Sequence, residues 1–395
     1  MRNFLRFGFI LYLCFSMGKG VAQVGTQFRE ISYKDALKQS KELHKPIFYM
    51  IFATWCPHCH KMREEVFTDT ALANYLNANF ICVIQDGEIG EGPTLRKKFN
   101  VSAFPGLLFI DENETLLYTL NGEFKTDDML NEAKNALTPE KQLPFLKAAF
   151  EADPSNADKC LAYLITLRKG SDRKTLSPAA HAYLATQTEA QLPSAINWRI
   201  IANAVTDIKS REFQYVLAHQ DQFAAVASKV RVQRKIGNIV SELLEPYVGK
   251  NDSVGYKTQR EMVKSMQVQK ADSLVFSYDI MLAERTGNWQ AYRKAARDGV
   301  EKYIWTDQKT IKEIAQNYLL HCPDPESLKH AVKWTKHALE IMDSYDGNII
   351  LAKLYIKTND RKQAVVHARA AMELTKSLGW NSKDADALFK ELNIN

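Results

Sequence analysis

The chain has 395 residues, enough for two or three folding units with sizeable cores. Its 46% hydrophobic and 25% charged residues, with 17 Gly and 12 Pro, exclude disordered, collagenous and multi-span membrane classes. The formal charge of +6 is modest, and no strongly basic domain or stripe marks a nucleic-acid binder.

Residues 1–22 carry Arg2, Arg6 and Lys19 and no acidic side chain. An apolar run over 7–17 follows the basic start, and Gly20-Val21-Ala22 places small residues where a signal peptidase cuts. That run is well short of the roughly 20 apolar residues of a spanning helix. The segment therefore reads as a cleaved export signal rather than an anchor, leaving no membrane span in the mature chain. Cys14 follows Leu11-Tyr12-Leu13 and lacks the small neighbour of a lipidated cysteine.

The next segment alternates element types. Residues 28–32 suggest a short strand, 33–43 an amphipathic helix ending before Lys45-Pro46, and 47–54 a nearly continuous apolar strand buried on both faces. A helix is expected over 57–77, a buried strand over 80–85, a loop over 87–93 and a short helix over 94–99. Strands at 106–110 and 116–120, joined by a turn at Asp111-Glu112-Asn113, precede a helix over 126–137. The order βαβαβαββα predicts an α/β unit of about 110 residues.

From Pro139 onward strand signals vanish and helical periodicity is broken only by short turns, such as Asp153-Pro154, Gly249-Lys250-Asn251, Gly287-Asn288 and Pro323-Asp324-Pro325. Leu282-Ala283, Ile314-Ala315 and Leu351-Ala352 each open a helix, and Ala295, Ala331 and Ala364 follow on the next one. Small residues there let paired helices approach closely. The last unit, with Leu351, Ala352, Tyr355, Ala364 and Ala371, resembles a tetratricopeptide repeat. Residues 139–280 are read as a generic helical domain and 281–395 as tetratricopeptide-like repeats. The net charge changes sign along the chain, from −5 over 23–140 to +8 over 141–395, which two solvated surfaces explain. The basic cluster Lys229, Arg231, Arg234 and Lys235 is read as a solvated helix face.

The chemistry concentrates at Ala53-Thr54-Trp55-Cys56-Pro57-His58-Cys59-His60-Lys61, where an apolar strand gives way to a helix. Cys56 falls at the helix start, where unpaired backbone N–H groups and the helix dipole favour a thiolate, the nucleophile of disulfide exchange. Two intervening residues put Cys59 one turn on, in bonding reach. Cys56 is the expected attacking sulfur and Cys59 the resolving one.

The Trp-Cys-x-x-Cys core, Lys61, and Val101-Ser102-Ala103-Phe104-Pro105 before a strand resemble the thioredoxin superfamily over about residues 28–138. The resemblance implies a thioredoxin-like domain over 23–138 and a redox pair Cys56/Cys59. It also implies a cis Pro105, with Phe104 before it, shaping a peptide groove; Trp55, Pro57 and His58 would be supporting residues. The Glu65-Val66-Phe67-Thr68-Asp69 stretch makes it most similar to exported thioredoxin-like domains such as the periplasmic reducing domain of DsbD-type proteins. That resemblance implies a periplasmic location, with the extracellular space as the alternative. Its partners would be protein thiols or disulfides and a redox donor or acceptor protein, with no metal or organic cofactor.

Departures from the family bear on function. Pro57-His58 is the DsbA dipeptide, and family potentials run from about −270 mV for thioredoxin to about −120 mV for DsbA. The family's buried acid is replaced by Met50, and its lysine partner aligns with Cys82. Gly106 replaces the usual threonine after the proline, implying a more open groove. Competing readings of the motif are C-x-x-C-H haem attachment, a zinc site short of ligands, and a structural disulfide that would cross-link little. Cys82 reads as a buried hydrophobe, and pairing of Cys160 with Cys322 is left open. Gly87, Gly90 and Gly92 lack the strand-loop-helix context of a phosphate loop. The function expected is thiol–disulfide oxidoreduction in either direction. The alternative is a non-catalytic peptide-binding or redox-sensing protein on a helical scaffold.

Overall fold

The computed structural model describes residues 25–394 apart from 172, 267 and 380. The export signal expected over 1–22 lies outside the described residues. Four strands form one sheet in the order β2-β1-β3-β4, with β1 at Ile47–Phe52, β2 at Ile81–Asp86, β3 at Gly106–Ile110 and β4 at Leu116–Asn121. β1 runs parallel to β2 and antiparallel to β3, and β3 pairs antiparallel with β4. The continuous apolar run of β1 follows from cover on both faces. Phe48 and Met50 point into one core with Leu107, Phe109, Met62, Leu72 and Met129. Ile47, Tyr49 and Ile51 point into the other, with Ala36, Leu37, Val83, Leu95 and Leu108. The period of two along the strand divides them.

Helices α1 (Tyr33–Leu43), α2 (Pro57–Lys61), α3 (Thr70–Asn79), α4 (Gly92–Lys98) and α5 (Thr126–Ala136) complete this α/β layer. Two expectations change. Residues 28–32 supply one isolated bridge, Arg29 to Val83, rather than a strand. The single helix expected over 57–77 is two helices: α2 widens into a π-turn over Met62–Val66, and α3 restarts after Asp69, whose side chain accepts from the Leu72 N–H. The Thr68 hydroxyl donates to the carbonyls of Glu64 and Glu65, closing the first segment where the second is capped.

The chain forms two compact units that meet at 206/207. In the first, α6 (Leu143–Glu151), α7 (Ala157–Arg168), α8 (Arg173–Leu184) and α9 (Ala195–Ala204) follow the sheet. The Asn121 N–H donates to the Lys169 carbonyl at 2.7 Å and its side-chain amide to the Gly170 carbonyl at 2.9 Å, so the end of β4 holds the turn after α7. A Cβ on Gly170 would lie 2.2 Å from the Thr119 hydroxyl, and only glycine permits this approach.

The described elements of the second unit are all helices: α10 (Arg211–Ala218), α11 (Gln220–Val226), α12 (Lys229–Gly249), α13 (Ser253–Lys264), α14 (Gln269–Arg285), α15 (Trp289–Tyr303), α16 (Gln308–His321), α17 (Pro325–Ile341), α18 (Tyr345–Lys357), α19 (Arg361–Leu378) and α20 (Lys383–Glu391). The pairs α14/α15, α16/α17 and α18/α19 pack together. Ala283, Ala315, Ala331, Ala352, Ala364 and Ala371 are buried as expected of small contact residues. However, Leu282-Ala283 lies in the last turn of α14, and Ile314-Ala315 and Leu351-Ala352 lie inside α16 and α18 rather than opening them. On α15 the fully buried alanine is Ala296, not Ala295. Gly299 lies one turn on, where a Cβ would meet Phe276 at 2.1 Å. The solvated-face reading of the basic cluster is corrected at one position, since Lys235 is buried. Among the described residues no helix is long and apolar enough to cross a membrane.

Candidate active site

β1 delivers the chain to a tight turn in which the Cys56 N–H donates to the Ala53 carbonyl at 3.1 Å. Cys56 is the N-cap of α2, extended at φ −84° and ψ 109°, with Pro57 at the first helical position. Proline is tolerated there because its missing N–H would find no helical partner. The Cys56 Sγ accepts the Cys59 N–H at 3.2 Å. One sulfur thus occupies the place of a capping oxygen, a geometry that favours negative charge on it. Both cysteines are free thiols. Burial, followed by a hydrogen bond to the Cys56 sulfur, pushes the Cys59 thiol well above its ordinary range.

The helix carries a basic side. His58 Nδ1 lies 2.8 Å from Glu123 Oε2, and Lys61 Nζ lies 2.5 Å from Glu123 Oε1. Hydrogen bonds from Lys61 and then His58 hold the Glu123 carboxyl below its usual range. His60 turns the other way, its Nε2 2.7 Å from the Thr54 carbonyl.

The Phe104–Pro105 peptide is cis. Trp55 stands 66% exposed, with its ring edge-on to Phe104 at 5.9 Å and its Nε1 donating to Glu88 at 2.9 Å. The Arg96 guanidinium lies 4.5 Å from the Phe104 ring centre. Phe104 also rests on Gly87, where a Cβ would come within 2.6 Å of the ring. Gly87 therefore serves aromatic packing. Gly92 is required by the backbone, since a Cβ there would lie 1.9 Å from the Asp86 carbonyl oxygen.

The expectation of a more open groove at Gly106 is corrected. Gly106 is buried, and Val101 fills the space beside it, 2.4 Å from where a Cβ would stand. Met50 is buried in the same apolar cluster as Cys56, Cys59 and Met62, and among the described residues the one fully buried carboxylate is that of Glu212, outside the thioredoxin-like sheet and its helices. Cys82 is buried on β2 opposite Phe48, its thiol pushed up to about 12 by burial. Cys160 and Cys322 are free and buried. Among the described residues no group of three or more His, Cys, Asp and Glu side chains is placed to hold a metal ion.

Sequence reasoning missed Glu123, Glu88 and Arg96. Glu123 is 65 residues from His58; its one local signal is the preceding Gly122, which turns the chain at the end of β4 with φ +92°.

A family model for a thioredoxin-like domain matches residues 33–137. Spermatogenesis-associated protein 20 of Mus musculus is 38% identical over 66 residues, 17% of this chain and 8% of that protein. Disulfide bond reductase DsbH of Chlamydia pneumoniae is 28% identical over 90 residues, 20% of this chain and 54% of DsbH. The chain thus spans less than two thirds of the length of either relative. A candidate disulphide-isomerase of known solution structure, from Bacteroides thetaiotaomicron, is 38% identical and matched over 98% of its length by 30% of this chain, with a TM-score of 0.28.

Proposed function

With residues 33–137 a thioredoxin-like domain, we propose that the protein is an exported thiol–disulfide oxidoreductase acting on protein substrates through Cys56 and Cys59. The observation that carries this is the Cys56 sulfur at the start of α2, accepting the Cys59 N–H at 3.2 Å, next to Trp55, whose ring meets Phe104 at 5.9 Å. The name of the relative DsbH, a disulfide bond reductase, supports the same class. Export rests on the signal-like residues 1–22, and the periplasm is the proposed compartment.

In the reducing direction the Cys56 thiolate attacks one sulfur of a substrate disulfide. The substrate S–S bond breaks, a mixed disulfide forms, and the departing sulfur takes a proton. Cys59 then loses its proton and attacks the Cys56 sulfur, releasing the second substrate thiol. Two electrons and two protons pass to the substrate, and the chain holds the Cys56–Cys59 disulfide until a dithiol donor reduces it. Oxidation runs the same steps backwards. Trp55 and Phe104 form the surface on which a substrate strand would lie, next to the buried Pro105, with Pro57 and His58 shaping the helix start. The helical regions 139–280 and 281–395 would contact the partner.

Insulin reduction with dithiothreitol as donor tests the reading. Turnover is expected in the parent, none in Cys56→Ser, and trapped mixed disulfides in Cys59→Ser; full activity in Cys56→Ser overturns it. The absence of a buried carboxylate beside Cys59 favours a second reading, a peptide-binding or redox-sensing module. That reading stands if the parent shows no turnover while its pair still oxidises and reduces.

A further inference from the structure

We propose that Glu123 is a positioning residue that keeps the Cys56/Cys59 pair on the reducing side by offsetting the Lys61 ammonium and engaging His58 on the helix that carries it. This rests on the thiol–disulfide reading above and adds a direction to it. The carboxylate is shared: Oε2 faces His58 Nδ1 at 2.8 Å and Oε1 faces Lys61 Nζ at 2.5 Å. It is also anchored on both flanks by the site itself. The Gly122 N–H donates to the Pro105 carbonyl at 2.9 Å, and the Phe124 N–H lies 3.2 Å from Met62 Sδ. These bonds hold the backbone on either side of Glu123 against the cis-proline loop and the turn after Cys59.

The electrostatic sign follows from the charges present. Positive charge near Cys56 stabilises its thiolate, hence the dithiol form, and makes the pair a stronger oxidant; this is how DsbA reaches its high potential. Lys61 would act in that sense on α2. The Glu123 carboxylate offsets the Lys61 ammonium charge at 2.5 Å and pairs with the His58 ring at 2.8 Å. Other charges around the site include Arg63, which acts on Cys59, Glu65, which acts on Lys61, Glu64, 3.9 Å from His60, Glu88 on the Trp55 ring nitrogen and Arg96 over Phe104. They are untouched by a change at 123.

The test is the equilibrium of the full chain with glutathione buffers, read by quantifying reduced and oxidised protein. Titration of thiolate absorbance accompanies it. Glu123→Gln should move the equilibrium constant about tenfold toward the oxidant, about 30 mV for two electrons, and shift thiolate formation to lower pH. Lys61→Met, which leaves the carboxylate without its ammonium, should move both readouts the opposite way, and Glu123→Asp should return them toward the parent. A loosened site would not produce opposite signs in two variants. Unchanged or same-direction shifts in Glu123→Gln and Lys61→Met overturn the proposal. Failure of the parent to reduce insulin would instead overturn the oxidoreductase reading, with the shift in the pair's own equilibrium still measurable.

Discussion

Lys169 at the end of α7 places its ammonium 2.8 Å from both carboxylate oxygens of Glu132 on α5, and the same ammonium lies 2.6 Å from the Tyr118 hydroxyl on β4. The Tyr118 hydroxyl in turn donates to Glu132 at 2.7 Å. A half-buried polar cluster thus ties the turn after α7 to the thioredoxin-like sheet, consistent with the first compact unit extending to Thr206. Burial alone would raise the Glu132 pKa, but hydrogen bonds from Lys169, Tyr118 and Asn135 outweigh it and the value is lowered. Its contribution to stability is therefore full above the ordinary glutamate pKa of about 4.3 and is lost as pH falls through the lower folded-state value. Lys169→Met should cost about 1–3 kcal/mol at pH 7, because it strands a half-buried carboxylate. Urea unfolding at pH 7 and again near pH 3 checks this. The gap between parent and variant should narrow on acidification; a constant gap would mean that the ion pair contributes nothing.

Gly106 follows from the Val101 side chain that occupies the space where its Cβ would stand. Gly106→Ala should destabilise by about 1–3 kcal/mol, the usual cost of overpacking a core. Combination with Val101→Ala should be milder than the sum of the two single changes, because removing the valine methyls admits the new one. Strict additivity in thermal or urea unfolding would show that this contact does not limit the position.

The site was legible where its signal was local. Seven apolar residues over 47–53, followed by Thr54 and Trp55-Cys56-Pro57, can hardly be other than a buried strand feeding a helix start, and the structure puts Cys56 at that N-cap. What escaped depends on partners distant in the chain or on a single residue of phase. The break between α2 and α3 is decided by the hydroxyl of Thr68 and the carboxylate of Asp69 bonding to backbone, which apolar spacing does not reveal. Ala295 and Ala296 are adjacent, and only the rotation of α15 decides which one faces inward. Glu123 meets His58 through the turn after β4, a contact made by sheet topology with no trace in local pattern.

Exposure does not separate the cysteines by reactivity, since Cys56 and Cys82 are both 3% exposed. Environment does. Cys56 caps a helix, whereas burial raises the thiols of Cys82 and Cys160 to about 12 and pushes Cys322 upward as well. The thiolate is the species that alkylates. In the reduced native chain at pH 8, iodoacetamide should label Cys56 at least about a hundredfold faster than these three, which should react only after denaturation. Peptide mass spectrometry reads the order. Labelling of Cys160 at the Cys56 rate, or a recovered Cys160–Cys322 cross-link, would contradict it.

The slow half of the exchange should be the step that uses Cys59. That sulfur must lose its proton to attack the mixed disulfide, and its thiol is raised by burial and by the bond to Cys56. Met50 stands among apolar neighbours, while the one fully buried carboxylate among the described residues is the distant-in-sequence Glu212. The thiolate fraction of a group titrating well above neutrality grows about tenfold per pH unit. Resolution of a mixed disulfide on Cys56, followed by stopped-flow through the exposed Trp55, should therefore accelerate about tenfold per unit from pH 6 to pH 8 with no plateau. Concentrated buffer base should speed it further by supplying the missing proton acceptor. Met50→Asp should flatten the profile if the variant folds, at the expense of core stability. A plateau near pH 7 in the parent would place a proton acceptor within reach of Cys59 after all, and repeating the profile in Glu123→Gln would show whether that acceptor is Glu123.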